Sequence, residues 1–226
     1  LQNQQLSTSG CDRPEQVVAW LGAVQAQEYL HAKWAIGLRM RRATDREIEQ
    51  AFNDGAILRT HVLRPTWHFL TPDDIRWVLE LTAPRVHKLN GTMYRKLAVD
   101  PPVLARSIDA IARALAGGNY LTRQELGAAL AEVEVPAEGM RLGYIVHYAE
   151  LERVICSGPR RGKQFTYALL DERAPNARSL PREEALAELV RRYFTSHGPA
   201  TLADFTWWSS LTVAEAKEGV ALLGDA

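Results

Sequence analysis

The residues best suited to chemistry are two glutamines, Gln25 and Gln27, separated by one small apolar residue, Ala26. A carboxamide is a poor acid and a poor base, but its oxygen accepts and its nitrogen donates hydrogen bonds. Two amides at this spacing are therefore suited to orienting a water molecule. The pattern indicates a site that needs a placed water more than a proton carrier. The alternative is a pair of polar surface residues near a helix end.

The segment that carries these glutamines reads as the continuation of an amphipathic helix that begins near Asp12 and Pro14. On a regular helix, residues two apart point in nearly opposite directions. The amides converge only if the helix ends or distorts before Gln27, so the predicted site depends on a geometric condition. Glu28 is a candidate acid, base or electrostatic stabiliser, with a solvated helix position as the alternative.

The composition excludes several classes of protein. The 226 residues carry 27 basic and 27 acidic side chains, so any surface for a polyanion depends on local clusters. Cys11 and Cys156 match no zinc or redox spacing and are predicted to be reduced thiols of a cytoplasmic protein. No apolar run is long enough to cross a membrane, and the histidines lack metal-ligand spacing. We expect no membrane, no metal and no cofactor.

The middle of the chain has the order of elements of a winged helix. Thr122 and Glu125 are spaced as a capping box that begins one helix, and a glycine-containing turn leads to a second helix, about 140–153. Two strands are predicted over 154–156 and 165–169. Helix, turn, helix and then a basic hairpin indicate a DNA-binding unit.

The turn of this hairpin carries three basic residues, Arg160, Arg161 and Lys163. They suit phosphate contacts, which give DNA affinity that depends on salt and not on sequence. The alternative is a solvated turn.

The same order of elements recurs on either side. Thr44 and Glu47 cap a helix that is followed by predicted strands 57–63 and 67–70, and the chain after 181 again reads as a long helix and two short ones. The sequence predicts a mainly α-helical fold with small β-hairpins, built from tandem winged-helix (helix-turn-helix) units. The predicted units cover 1–98 with flanking helices, 99–175, and 176–226, the last truncated before its wing.

The predicted first hairpin carries four further candidates for DNA contact: Arg59, Arg64, Thr66 and His68. In an extended chain, Arg64, Thr66 and His68 share a face that suits phosphate or an extruded sugar. The alternative is a polar outer face, opposite apolar neighbours. The tryptophans suit base stacking or, more simply, core packing: Trp20, Trp34, Trp67, Trp77, Trp207 and Trp208.

Three stretches resemble the AlkZ-like family of winged-helix DNA glycosylases: 21–39, 59–85 and 197–212. The family carries glutamine, a hydrophobic residue, then aspartate or glutamine at its catalytic site, and Gln25-Ala26-Gln27 matches the glutamine form. Family members normally continue through a complete third winged helix, so the third unit is expected to lack its wing here.

The resemblance implies a monofunctional DNA glycosylase that excises bulky N-alkylated purines, with crosslinked bases as further candidate substrates. Gln25 and Gln27 would be catalytic, and the partner would be double-stranded DNA with alkylated bases, bound by a monomer. Two alternatives stay open: a non-catalytic winged-helix regulator, which would keep sequence-preferring DNA binding when the glutamines are changed, and a module that binds protein.

Overall fold

The computed structural model of the protein describes residues 1–7 and 10–224. These residues form helices and short strands in an order that repeats. The helices are α1 (Pro14–Leu21), α2 (Tyr29–Gly37), α3 (Asp45–Asp54), α4 (Pro72–Lys96), α5 (Pro101–Leu115), α6 (Arg123–Ala131), α7 (Gly139–Leu151), α8 (Leu170–Arg173), α9 (Arg182–His197), α10 (Leu202–Ser209) and α11 (Val213–Leu223). The strands are β1 (Val24–Gln25), β2 (Leu58–Val62), β3 (Thr66–Leu70), β4 (Leu121–Thr122), β5 (Ile155–Ser157) and β6 (Thr166–Leu169).

Two small antiparallel sheets have the same topology. Their strand orders are β1-β3-β2 and β4-β6-β5. In each sheet a short first strand precedes two helices and then pairs with the last strand of the hairpin that follows them. This is the arrangement of a winged helix, and it confirms the predicted fold class.

A third set of helices follows without a sheet. The long α9 packs against α11, and α10 lies between them in sequence. Among the described residues no strand follows α11. The division into units 1–98, 99–175 and 176–226 stays a prediction, although one apolar cluster is confined to the middle of the chain, from Val99 to Tyr167.

The helix starts that the sequence predicted are present because they depend on local chemistry. Thr44 accepts from the backbone N–H of Glu47 at the start of α3, and the Glu47 carboxylate accepts in return from the Thr44 N–H. Thr122 and Glu125 form the same reciprocal pair at the start of α6. The acidic residue in the first turn also complements the positive end of the helix dipole.

The predicted continuation of the first helix through Gln27 is wrong. Helix α1 ends at Leu21, and Gly22 follows with φ of +77°, a conformation that disfavours residues with a Cβ. The chain then becomes extended as β1, which pairs Val24 with Phe69 and Gln25 with His68. A strand of two residues leaves no periodic pattern in the sequence, and it exists here because β3 supplies its hydrogen-bonding partner.

Candidate active site

Gln25 is the last residue of β1, and Gln27 lies two positions later at a bend of the chain, before α2 begins. Both are exposed, whereas Ala26 between them is fully buried. Because α1 ends at Leu21, the condition that the helix end before Gln27 is met. The buried small residue packs the segment onto the protein while the two amides face solvent.

The backbone of this segment is held on both sides of Ala26. The Ala26 N–H donates to the Trp67 carbonyl at 2.7 Å, and the Arg59 guanidinium donates through Nε to the Ala26 carbonyl at 3.0 Å. The Gln27 amide oxygen accepts from the Trp67 N–H at 3.4 Å, a long hydrogen bond. The first hairpin thus fixes the segment that carries both glutamines.

Arg59, predicted as a DNA contact, is largely buried. Its guanidinium lies 4.3 Å from the Trp67 ring centroid and 4.5 Å from that of Phe165. Burial lowers its pKa to about 10, which still leaves it charged at neutral pH. The contacts of Arg59 are those of a residue that positions Ala26.

His68 lies directly opposite Gln25 in the antiparallel pairing, on the same face of the sheet. Its side chain is fully buried, its Nδ1 lies 3.0 Å from the Thr66 carbonyl, and its Nε2 has no partner in the described protein. Burial lowers the pKa of His68 to about 4, with the nearby charge of Arg64 acting in the same direction. The ring is therefore neutral at pH 7. With its proton on Nδ1 toward the carbonyl, its Nε2 offers an acceptor beside Gln25.

Thr66 lies two residues before His68 on β3, and Arg64 lies in the turn that precedes this strand. The Thr66 hydroxyl and the Arg64 Nε are also buried without a partner in the described residues. The Arg64 guanidinium lies 4.2 Å from the ring centroid of Trp207, an exposed residue of α10. Sequence reasoning treated Trp207 as one of six tryptophans, and nothing local identified its pairing with Arg64.

The second hairpin presents its three basic residues differently. Arg160 packs over the Phe165 ring at 4.2 Å and donates to the Lys163 carbonyl at 2.6 Å. Arg161 donates to the Glu125 carboxylate at 2.7 Å. Lys163 is exposed and forms no ion pair within the described chain. Of the three, only Lys163 has a charge uncommitted to protein groups.

A cleft of about 1200 Å³ runs between the first hairpin and the second winged helix. Arg59 and Trp67 line it from β2 and β3, and Arg123, Lys163 and Tyr167 line it from the second unit. The exposed amides of Gln25 and Gln27 do not line this cleft. Trp67 lines the cleft, and its backbone N–H and carbonyl bond to Gln27 and Ala26. The surface that carries Gln25 and Gln27, the glutamine face, therefore adjoins the cleft at Trp67.

Glu28 is exposed and occupies the N-cap position of α2, where its carbonyl accepts from the Ala32 N–H. Among residues 1–7 and 10–224, no group of three or more His, Cys, Asp or Glu side chains could hold a metal ion. In the same part of the chain, none of the helices has the length and apolar character needed to span a bilayer.

Comparisons with known proteins place this architecture in one family. The model of the family described as DNA glycosylase AlkZ-like matches residues 18–226. The chain is 31% identical over 206 residues to an interstrand DNA cross-link repair glycosylase of Streptomyces sahachiroi, an alignment that covers 86% of this chain and 54% of that protein. The solved structure of Streptomyces sahachiroi DNA glycosylase AlkZ matches with a TM-score of 0.84 at 26% identity, covering 99% of this chain and 63% of that one.

The chain belongs to the AlkZ-like DNA glycosylase family, as its sequence resemblance predicted. It spans about half the length of the curated relative and less than two thirds of the solved structure.

Proposed function

We propose that this protein is a monofunctional DNA glycosylase that hydrolyses the N-glycosidic bond of bulky N-alkylated purines, crosslinked bases among them. The attacking water is positioned by Gln25 and Gln27. The observation that carries the proposal is the non-helical segment itself: two exposed amides flank Ala26, which is buried and hydrogen-bonded through both its backbone groups.

The chemistry of the leaving group explains why amides suffice. A guanine alkylated at N7 is already cationic, so the C1′–N9 bond breaks with its electron pair passing to the base, which leaves neutral. Positive charge develops on the sugar, and the oxygen of water bonds to C1′ and releases a proton to solvent. Such a transition state needs orientation and complementary dipoles more than a strong base.

The groups near the glutamines also suit a site that orients water and needs no strong acid or base. The neutral His68 presents an acceptor next to Gln25 and cannot act as an acid at neutral pH. Thr60 lies opposite His68 on β2, and Thr66 lies two residues before His68 on β3, so both place hydroxyls on the His68 face of the sheet. None of these side chains is a primary amine, the group that attacks C1′ in glycosylases with lyase activity.

Contacts with DNA are proposed for both hairpins. Lys163 at the tip of the second hairpin supplies an uncommitted charge for phosphate. Arg160 and Arg161 support that tip, while Arg64, Thr66 and His68 border the glutamine face. Arg59 acts indirectly, because its guanidinium holds the Ala26 carbonyl between the two glutamines. Since the formal net charge is zero, these local groups must supply the attraction to DNA.

The test is release of base from duplex DNA that contains N7-alkylguanine. The protein should release the base, and folded Gln25→Ala and Gln27→Ala variants should lose roughly a hundredfold or more in rate, as expected when a group that orients the reacting water is removed. Gln50→Ala is the matched control, because Gln50 is an exposed glutamine of α3 that bonds only to Asp54. No release from a panel of alkylated duplexes would refute the proposal.

A further inference from the structure

Trp207 on α10 presents most of its surface to solvent. It is 70% exposed, whereas the adjacent Trp208 is partly buried and packs against the ring of Tyr193. Helix geometry explains the difference. Phe205 and Ser209, four positions apart, are the buried residues of α10, and Trp207 lies midway between them in sequence and therefore on the opposite side of the helix.

One face of the Trp207 indole is covered by an arginine of the first hairpin. The Arg64 Cζ lies 4.2 Å from the ring centroid, within the range of a cation–aromatic contact. Because Trp207 is nevertheless 70% exposed, the opposite face of the ring is open. The indole is therefore held on one face and free to stack on the other.

Arg64 also places this ring beside the glutamine face. Its charge contributes to the lowered pKa of His68, so the guanidinium lies near that histidine as well as near Trp207. His68 in turn lies opposite Gln25 in the first sheet. The open indole thus borders the surface that carries the candidate catalytic amides, although it belongs to the third set of helices.

Hydrolysis at C1′ within a duplex has a cost that an aromatic side chain can offset. Enzymes that act on a base take its nucleotide out of the stack, which breaks both pairing and stacking. A side chain that enters the vacated space restores part of that stacking, and aromatic rings do so whatever the sequence because every base has a flat face. An indole with one open face beside the reacting groups suits this task.

We propose that Trp207 enters the base stack where the alkylated nucleotide leaves it, and that its open face stacks on the base that borders the gap. The inference rests on the proposed function, which requires DNA to lie across the glutamine face. Arg64 orients the indole and brings a positive charge to the phosphates beside the gap. Trp207 is a binding residue, because it touches the duplex and not the reacting atoms.

The experiment compares the affinity of the full chain for two duplexes that differ at one nucleotide. One duplex is intact, and the other carries a tetrahydrofuran abasic analogue, which leaves a gap in the stack and has no base to release. We expect about tenfold tighter binding of the abasic duplex, the usual scale of stacking between a base and an aromatic side chain. Fluorescence anisotropy measures both affinities.

Trp207→Ala should lose this preference and bind the intact duplex as the unmodified protein does. Trp207→Phe keeps an aromatic ring and should retain most of the preference. Thermal unfolding confirms that each variant is folded, which is expected because the substituted side chain is exposed. A general loss of structure would weaken binding to both duplexes alike, so the ratio of the two affinities reports on the gap itself.

Trp34→Ala is the matched control. Trp34 is also 70% exposed, but it lies on α2 beside Thr44 and Asp45 at the start of α3. The control should keep the preference for the abasic duplex. An equal loss in Trp34→Ala and Trp207→Ala would overturn the assignment to Trp207.

Base release gives a second measurement. If Trp207 offsets the cost of extrusion, Trp207→Ala should slow release from a fully paired lesion by about tenfold. The same variant should lose much less when the lesion lies in an unpaired bubble, where extrusion costs little. Equal losses in the two contexts would contradict the inference.

The outcomes distinguish this inference from the proposed function. Base release by a protein that has no abasic preference, or whose preference survives in Trp207→Ala, overturns the inference alone. An abasic preference that requires Trp207, without base release from any alkylated duplex, overturns the glycosylase proposal and leaves Trp207 as a residue that binds gaps in DNA.

Discussion

Arg59 and Ala26 are joined by a hydrogen bond of 3.0 Å between the Arg59 Nε and the Ala26 carbonyl oxygen. The pair is 33 positions apart in the chain and buried. The backbone between the two exposed amides is therefore held by a cation of the neighbouring hairpin, which is itself enclosed by the rings of Trp67 and Phe165. The placement of the glutamines depends on the interior of the first unit.

Removing the guanidinium should weaken both the fold and the reaction. Arg59→Met leaves the buried Ala26 carbonyl without this donor, which should lower the free energy of unfolding by about 1–3 kcal/mol. Urea unfolding measures the change, and the rate of base release should fall in the folded variant. Arg113→Met, at an exposed position of α5, is the control and should stay within about 0.5 kcal/mol. Equal rates for both variants would contradict the positioning role of Arg59.

Changing Gln27 to aspartate should preserve activity and introduce a pH dependence. A carboxylate is a true base, and its oxygen still accepts a hydrogen bond from water. We expect the rate of base release by Gln27→Asp to fall as pH drops through roughly 4, the ordinary pKa of an aspartate, because the group becomes protonated. Gln27→Leu should be inactive at every pH. A flat pH profile for Gln27→Asp would argue against direct contact between this side chain and the water.

Acid should destabilise the protein through its buried histidines. The pKa of His68 is about 4 and that of His147 about 2 in the folded state, both lowered chiefly by burial, against roughly 6.5 when unfolded. Below pH 6.5 the unfolded chain binds protons that the folded chain does not, so stability falls as pH falls from 6.5 toward 4. His147→Phe removes one of these titrating groups. It should reduce the slope of unfolding free energy against pH by about 1.4 kcal/mol per pH unit. An unchanged slope in urea unfolding between pH 4 and 6 would contradict this account.

The contact between Arg64 and Trp207 should couple the first hairpin to α10. The guanidinium lies 4.2 Å from the exposed indole ring, so a double-mutant cycle with Arg64→Met and Trp207→Ala should give an interaction energy of about 0.5–1 kcal/mol. The control is a second cycle with Arg64→Met and Trp34→Ala. Trp34 on α2 is as exposed as Trp207, and this cycle should give no coupling. Strict additivity at Arg64 and Trp207 would count against the contact.

Among the basic residues of the second hairpin, Lys163 should contribute most to the salt dependence of DNA affinity. Lys163→Ala should reduce the slope of log affinity for duplex DNA against log salt concentration by about 1. Arg161→Ala should change it less, because the Arg161 guanidinium already pairs with Glu125 at 2.7 Å and with the Tyr120 carbonyl at 2.6 Å. Fluorescence anisotropy with an unmodified duplex measures both slopes. A larger effect at Arg161 would reverse this assignment.

Features with local causes could be predicted from the sequence. The capping boxes at Thr44 and Thr122 depend on residues three positions apart, and both helices begin where those residues stand. The hairpins were visible because apolar, β-prone runs flank a basic turn. The family resemblance identified Gln25 and Gln27 as candidate catalytic residues, although the helix predicted to contain them is wrong.

What could not be predicted depends on distant contacts. Strand β1 exists through its pairing with β3, more than forty positions away, and the burial of Arg59 depends on rings from both units. The rings of His61, from the first unit, and His147, from the second, stack with their centroids 4.0 Å apart. One signal was available: the short step at Leu121 that precedes the capped helix of the second unit implies a matching strand before α2 in a repeated fold.

The shared topology of the two sheets shows how differently one strand position can be used. At the position where the first sheet exposes Gln25, the second has Leu121 and Thr122, and the Thr122 hydroxyl caps α6. The corresponding strands of the two sheets thus carry different groups, an exposed amide in one and a helix cap in the other. Because β1 and β4 are edge strands with separate cores beneath them, changes in one need not disturb the other. With separate cores, a substitution that remodels one short strand can leave the packing of the other unit unchanged.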